Sequence, residues 1–440
     1  MIVLLRMLAL FSIFLFSCQS YKRLHRNALV VDTHNDVLST ATMRGLSIES
    51  DLTGRTHTDL ARLKKGGVDV QVFAVFCDER FGKDTAFKYA NREIDSLYAI
   101  VGRNTDKLIL ATNPAQLEQA VSEKKIACML GVEGGHMIED NLAYLDSFYK
   151  RGVRYLTLTW NNSTSWATSA MDETAASKPL VGWSSSQPSP ATKPENSTSA
   201  SQSGDSAAGH PSTGGAGGGQ KGLTPFGKQV VQRMNELGMM VDVSHVGEQT
   251  FWDAINTSTK PVIASHSCAY TLCPVFRNLK DDQLKALAKN GGVVQLNFYS
   301  GFLDSSFQAR MQDFNSRHRK ERDSLRALKW PSYQIEEYFL ATYPEEASRL
   351  RPPLSLLLDH IDHMVRVAGI DHVGLGSDFD GISSAPKELQ DVTDMPLITK
   401  GLLQRGYSKA DIRKILGENF LRVFKANQST EPKPILSSSN

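Results

Sequence analysis

The stretch Leu29 to Leu38 reads LVVDTHNDVL, an apolar run that stops at a cluster of polar side chains. His34 and Asp36 stand two residues apart, so on an extended strand they point to one side. An imidazole and a carboxylate sharing one side suit a first-row metal ion such as Zn2+. Comparable endings recur along the chain. Glu133 closes the run in GVEGGH, His245 ends VDVSH, His266 lies in IASHS and Asp378 in GSDFDG. Singly, each has a plainer reading. A His-x-Asp pair is more often part of a turn, Glu133 reads as a loop charge, and either later histidine as a satisfied buried side chain. Asp378 reads as an N-cap.

If these runs are parallel strands of one barrel, all their ends share one face. Three imidazoles and three carboxylates would then meet at one mouth. His34 with Asp36 can serve one ion, and His245 with His266 a second. Glu133, on a strand between them, can give one oxygen to each. Two ions about 3.5–4 Å apart clamp a hydroxide and polarise a carbonyl, which is hydrolytic chemistry.

The elements needed are present. Apolar or β-branched runs predict strands at 28–34, 68–76, 125–135, 154–160, 239–245, 261–267, 291–299 and 372–381. Helical patterns separate most of them: TDLARLKKGG and GKQVVQRMNELG stop at glycine, and LSLLLDHIDHMVRVAG follows Pro352-Pro353. SKADIRKILGENFLRVF opens with Ser408 and Asp411 at capping-box spacing. Continuous apolar strands alternating with helices predict a parallel sheet buried on both faces. Eight such strands match a (β/α)8 barrel, although the count alone leaves an open sheet in play.

Residues 1–18 read as an export signal. A short apolar stretch with Arg6 ends in Leu15-Phe16-Ser17-Cys18, which resembles a bacterial lipobox; a noncleaved anchor is the alternative. The expectation is an exported protein, periplasmic or in the cell envelope, attached to the membrane by a lipid on Cys18. The barrel then spans 19–427. Residues 184–221 are rich in Ser, Gly, Pro and Thr and read as a disordered insertion; 428–440 read as a disordered tail. Residues 302–353 read as a charged helical insertion, a cap over the mouth or a peripheral decoration. Beyond Cys18 there are Cys77, Cys128, Cys268 and Cys273, too few for a disulfide framework, with Cys268–Cys273 pairing open. The 49 Lys and Arg against 47 Asp and Glu give no basic stripe and no sign of nucleic acid. His57, His210, His360, His363 and His372 fall in loops, inside a helix or at the start of a strand, away from the proposed mouth. His136 is open between a supporting and a packing role.

The motifs DTHND, GVEGGH, RYLTLTW, GLTPFGKQVVQRMNELGMMVDVSH, PVIASHSCAY, RNLKDD and VGLGSDFDG occur in the order found in the membrane dipeptidase (renal dipeptidase-like) family, which the chain resembles from about residue 28 to 425. The resemblance implies a metal-dependent hydrolase barrel with two zinc ions. His34 and Asp36 would hold one, His245 and His266 the other, with Glu133 bridging. It implies Asp378 as the acid/base and Arg277 as the group engaging the substrate carboxylate, hence a dipeptide substrate cut by a hydroxide between the ions. Family members are often dimeric, so a homodimer is a further expectation. Where many relatives have a histidine that contacts the substrate, this chain has Trp160, followed by Asn161; either would have to supply the contact. The alternatives are hydrolysis of another small amide or lactam, and a catalytically silent, tethered binding lipoprotein.

Overall fold

The computed structural model describes residues 21–175, 221–328, 330 and 332–428. The export signal, nearly all of the low-complexity insertion and the C-terminal tail lie outside the described residues. Nine strands form: β1 (Val31–Asp32), β2 (Val70–Phe76), β3 (Leu108–Leu110), β4 (Ile126–Glu133), β5 (Val153–Thr157), β6 (Met240–Asp242), β7 (Ile263–Ser267), β8 (Val293–Leu296) and β9 (Val373–Leu375). Eight follow the order β1-β2-β4-β5-β6-β7-β8-β9, and every pairing is parallel. The ends of this path meet. Thr33 N–H donates to Leu375 O at 3.2 Å, and Asp378 N–H to His34 O at 3.0 Å. The result is a (β/α)8 barrel, and each predicted strand has its counterpart. The ninth strand, β3, pairs only with β4, outside the ring.

Side-chain alternation sorts the apolar residues into two layers. Val31, Val70, Val72, Ala127, Met129, Tyr155, Met240, Ile263 and Val293 belong to one buried cluster, with contributions from β1, β2 and β4 through β8. Their strand neighbours Phe73, Val75, Cys128, Leu130, Leu156, Val241 and Val294 pack with the surrounding helices. Local chemistry sets where the helices begin and end. Asp59 caps Leu60–Gly66 by accepting from Arg62 N–H, and Gly67 ends that helix at φ 76°. Thr224 caps Pro225–Leu237 by accepting from Gly227 N–H, and Ser408 caps Lys409–Arg413. Each such cap contributes about 1 kcal/mol.

After β8 the expected helical insertion forms as Phe307–Arg317, Arg319–Ala327, Ser332–Thr342 and Pro344–Leu350 around buried Phe314 and Phe339. Cys77, Cys128, Cys268 and Cys273 are buried and unbonded to one another. Cys268 Sγ donates to Asn297 O and Cys273 Sγ to Gly301 O. Among the described residues no helix is long and apolar enough to cross a membrane.

Candidate metal centre

The six predicted residues converge at the C-terminal ends of the barrel strands. Glu133 is the last residue of β4 and His266 lies near the end of β7; His34, His245 and Asp378 lie two or three residues past β1, β6 and β9. His245 and Asp378 take left-handed backbone, φ 67° and 60°, which costs about 1–3 kcal/mol each and is held by the surrounding structure. Gly381 leaves room beside them: a Cβ there would meet Asp36 Oδ2 at 2.2 Å and Asp378 Oδ1 at 2.6 Å.

Glu133 lies between two sets of groups. Its Oε2 is 3.4 Å from His34 Nε2; its Oε1 is 2.8 Å from His245 Nε2 and 3.3 Å from His266 Nε2. His34 Nε2 is also 3.4 Å from Asp36 Oδ2 and 4.0 Å from Asp378 Oδ1. His245 Nε2 and His266 Nε2 lie 2.9 Å apart.

Hydrogen bonding on the far side of each ring fixes what Nε2 presents. His245 Nδ1 donates to Asn161 Oδ1 at 3.1 Å. Ser265 Oγ gives its proton to Asp242 Oδ2 at 2.6 Å, so it accepts from His266 Nδ1 at 2.8 Å. The Tyr155 hydroxyl gives its proton to Thr33 O at 3.1 Å, so it accepts from His34 Nδ1 at 2.8 Å. With Nδ1 protonated, each neutral ring turns a lone pair toward the centre. Three imidazole nitrogens and the carboxylates of Glu133 and Asp36 therefore face one another at short range, to be joined by a proton or by a cation. The mixed N/O donors fit zinc or a similar first-row metal. The donor atoms of His34, Glu133 and His266 lie close enough to share one ion, as do those of His34, Asp36 and Asp378.

The electrostatics of the centre without a cation follow from the same contacts. Burial, with the charge of Arg277, pushes His245 down to about 3, and burial with His34 holds His266 well below the imidazole range. Burial works against ionised Glu133, yet His34, His245 and His266 keep it well below the usual carboxylate range. Burial opposes charge on His34 too, but Tyr155, Glu133 and Asp36 outweigh it and raise its pKa. For Asp378, burial reinforced by Asp36 and Glu133 favours the protonated acid, while Asn297 Nδ2 donates to its Oδ2 at 2.8 Å.

Arg277 is buried, with burial lowering its pKa to about 10. Its Nη2 reaches His266 O at 3.5 Å and its guanidinium carbon lies 5.3 Å from the Phe302 ring centroid, while Nε and Nη1 have no partner. Trp160 packs on Phe76, ring centroids 4.9 Å apart, and lies 6.4 Å from His245. Asn161 Oδ1 accepts from His245 Nδ1, which ties this side chain to the centre.

The other described histidines stay outside the centre, and His210 lies outside the described residues. His360 accepts from Ala269 N–H and donates to Leu303 O; His363 pairs with Asp281; His57 accepts from Asp380 N–H. His136 Nε2 donates to Cys77 O at 3.0 Å, beside the mouth. Tyr155, Asp242, Ser265 and Asn297 were not singled out from the sequence. The available signal was a carboxylate inside the apolar run MMVDVSH. Glu93 was also missed: it is fully buried on the helix Ala86–Arg103, accepting from Phe76 N–H at 2.7 Å.

A parallel (β/α)8 barrel with imidazoles and carboxylates gathered at the C-terminal mouth defines a metal-dependent hydrolase. The sequence pattern of the membrane dipeptidase family (peptidase family M19) matches residues 18–185 and 196–436. A protein of Schizosaccharomyces pombe described as an uncharacterized dipeptidase is 32% identical over 429 residues, 93% of this chain and 83% of that one. The chain belongs to the membrane dipeptidase family and is a dipeptide-hydrolysing metallopeptidase of that class. Solved structures share the fold. The probable dipeptidase PvdM from Pseudomonas aeruginosa matches with TM-score 0.70 at 23% identity, over 94% of this chain and 98% of that one. A metallopeptidase from Rhodobacter sphaeroides, liganded with a phosphinate mimic of L-Ala-D-Ala, matches with TM-score 0.67 at 22% identity, over 91% and 99%.

Proposed function

We propose that the chain cleaves the peptide bond of dipeptides with two zinc ions, one held by His34 and Asp36, the other by His245 and His266, and Glu133 shared between them. The observation carrying this is the convergence of three Nε2 atoms on Glu133, whose two oxygens face different imidazoles. Ions held there supply a hydroxide at neutral pH and polarise the scissile carbonyl.

The chain's own residues do the rest. Asp378 keeps Oδ2 on Asn297 and directs Oδ1 toward the ligand cluster, so it is placed to take a proton during attack and return it to the leaving amine. Arg277 holds Nε and Nη1 buried without partners, so its guanidinium has charged donors free for a substrate carboxylate. A fixed cation near the centre favours substrates whose free carboxylate lies one residue beyond the cleaved bond, hence dipeptides. Trp160, where many relatives place a histidine, sets an aromatic wall beside His245. Another small amide is the second reading, because Trp160 changes the substrate side of the site. A silent binding protein is disfavoured by Asp378, which a binder does not need. Export and a lipid on Cys18 rest on residues 1–18 alone, and a homodimer on the family resemblance.

The test is zinc content with hydrolysis of a mixed dipeptide panel, on the full chain and on Glu133→Gln. About two zinc ions per chain and activity lost in the variant support the reading. Zinc without dipeptide cleavage redirects it to another amide. A chain that binds no zinc overturns it.

A further inference from the structure

The three ligand imidazoles pass their Nδ1 protons to three different supports. Asn161 serves His245, and the Ser265–Asp242 pair serves His266. The third support comes from across the barrel. Tyr155 is on β5, whereas His34 follows β1, and β2 and β4 lie between those strands in the sheet. The Tyr155 side chain therefore crosses the barrel interior to reach His34 Nδ1 at 2.8 Å. Its ring is fully buried in the inner apolar layer. Gly131, its register partner on β4, makes room: a Cβ there would come within 2.0 Å of the Tyr155 ring. A buried phenol needs hydrogen-bond partners. This one donates to Thr33 O, which leaves its oxygen as acceptor toward His34.

We propose that Tyr155 is a positioning residue of the metal centre, which fixes His34 as an Nε2 ligand and supports the ion at His34 and Asp36 independently of the Ser265–Asp242 support for the ion at His245 and His266. This rests on the two-ion reading above. The hydrogen bond on the second ring nitrogen decides which nitrogen of a histidine is free to bind a metal. Without the phenol oxygen, the His34 proton has no acceptor at Nδ1 and is drawn to Nε2, toward Glu133 and Asp36. Phenylalanine at 155 would fill the same space over Gly131, removing that acceptor together with the hydroxyl's bond to Thr33 O.

The experiment measures the dissociation constant of each zinc equivalent by competition with a chromophoric chelator. It uses the full chain, Tyr155→Phe and Ser265→Ala, each also in an Asp36→Asn background. Tyr155→Phe is expected to weaken one equivalent by about 10–100-fold and the other clearly less, through the shared Glu133. Ser265→Ala is expected to weaken the other equivalent. In the Asp36→Asn background, where the His34 ion is already compromised, Tyr155→Phe should add nothing to the loss at the remaining ion, whereas Ser265→Ala should. A merely structural role would loosen both equivalents together in either variant, and that result overturns the proposal. So does Tyr155→Phe with both constants unchanged, an outcome that leaves the two-ion reading standing. A parent chain that binds fewer than two ions removes both.

Discussion

His245 and His266 hold their Nε2 atoms 2.9 Å apart although each presents a lone pair there, because each has placed its proton on the opposite nitrogen. Neither ring can answer the other, and Glu133 Oε1, the third group at that point, is an acceptor as well. The arrangement makes sense around a cation, and the predictions that follow separate the groups that hold it from those that use it.

Asp378 belongs to the second kind. Asp378→Asn should keep the metal content of the parent chain, because His34, Asp36, Glu133, His245 and His266 remain. The variant should lose about 10²–10⁴-fold in kcat, the usual worth of a positioned acid/base. Metal analysis beside steady-state kinetics checks both halves; loss of zinc in this variant would make Asp378 a ligand instead.

Arg277→Met should raise KM for dipeptides. Each charge-assisted hydrogen bond contributes about 1.5–3 kcal/mol, which is roughly 10–150-fold in kcat/KM. The same dipeptide with its C-terminus amidated, a poor substrate of the parent, should be indifferent to the substitution. Equal losses on both substrates would remove Arg277 from carboxylate recognition.

Gly381→Ala tests crowding of the site without touching the core. The glycine is exposed, yet its new methyl would press on Asp36 and Asp378. Metal binding and activity should fall while the melting of metal-free protein shifts by no more than the ~0.5 kcal/mol typical of a surface change. Full activity in this variant would mean that Asp36 and Asp378 do not need the positions they occupy.

Glu93→Gln should change how stability responds to pH. Burial, reinforced by the charges of Asp36 and Glu133, holds the Glu93 carboxyl well above its ordinary range, against the Phe76 N–H that favours the anion. At neutral pH the folded chain then keeps a proton that the unfolded chain has lost, so this group makes stability fall as pH rises above about 4.3. Glutamine cannot titrate. The stability of the variant relative to the parent should therefore grow with pH by up to ~1.4 kcal/mol per pH unit, until the folded pKa is passed. Urea unfolding at a series of pH values reads this slope; a flat difference would mean that Glu93 is ionised in the fold.

Much of this was legible before any coordinates, and for a physical reason. Strands buried on both faces read as continuous apolar runs, so each polar residue that ends one stands out, as His34, Glu133 and Asp378 do. β3 was missed because Leu108–Leu110 is three residues long and joins only one neighbour. The supporting residues were missed because their meaning depends on which strands face each other. Tyr155 looks like an ordinary core aromatic until the barrel closes and brings it to a histidine 121 positions away. Asn161 follows Trp160 at the mouth, and only the turn after β5 shows that its oxygen is aimed at His245. Glu93 carried a signal: it falls on the buried stripe of its helix with Ala90, Ile94 and Leu97, where a charge has no ordinary place.

The seam of the barrel has a consequence for how the protein is made. Asp32, at the end of the first strand, takes its hydrogen bonds from Ser377 N–H and Ser377 Oγ, both at 2.7 Å and 345 positions later. At roughly 5–20 residues per second, the ribosome needs on the order of 20–70 s to supply that partner. Until then the carboxylate of Asp32 lacks those donors, and His34 and Asp36 have no closed mouth to face. Completion of the ring is thus timed by the last strand, and a chain ending before Ser377 would carry all five proposed metal ligands without a closed barrel to hold them.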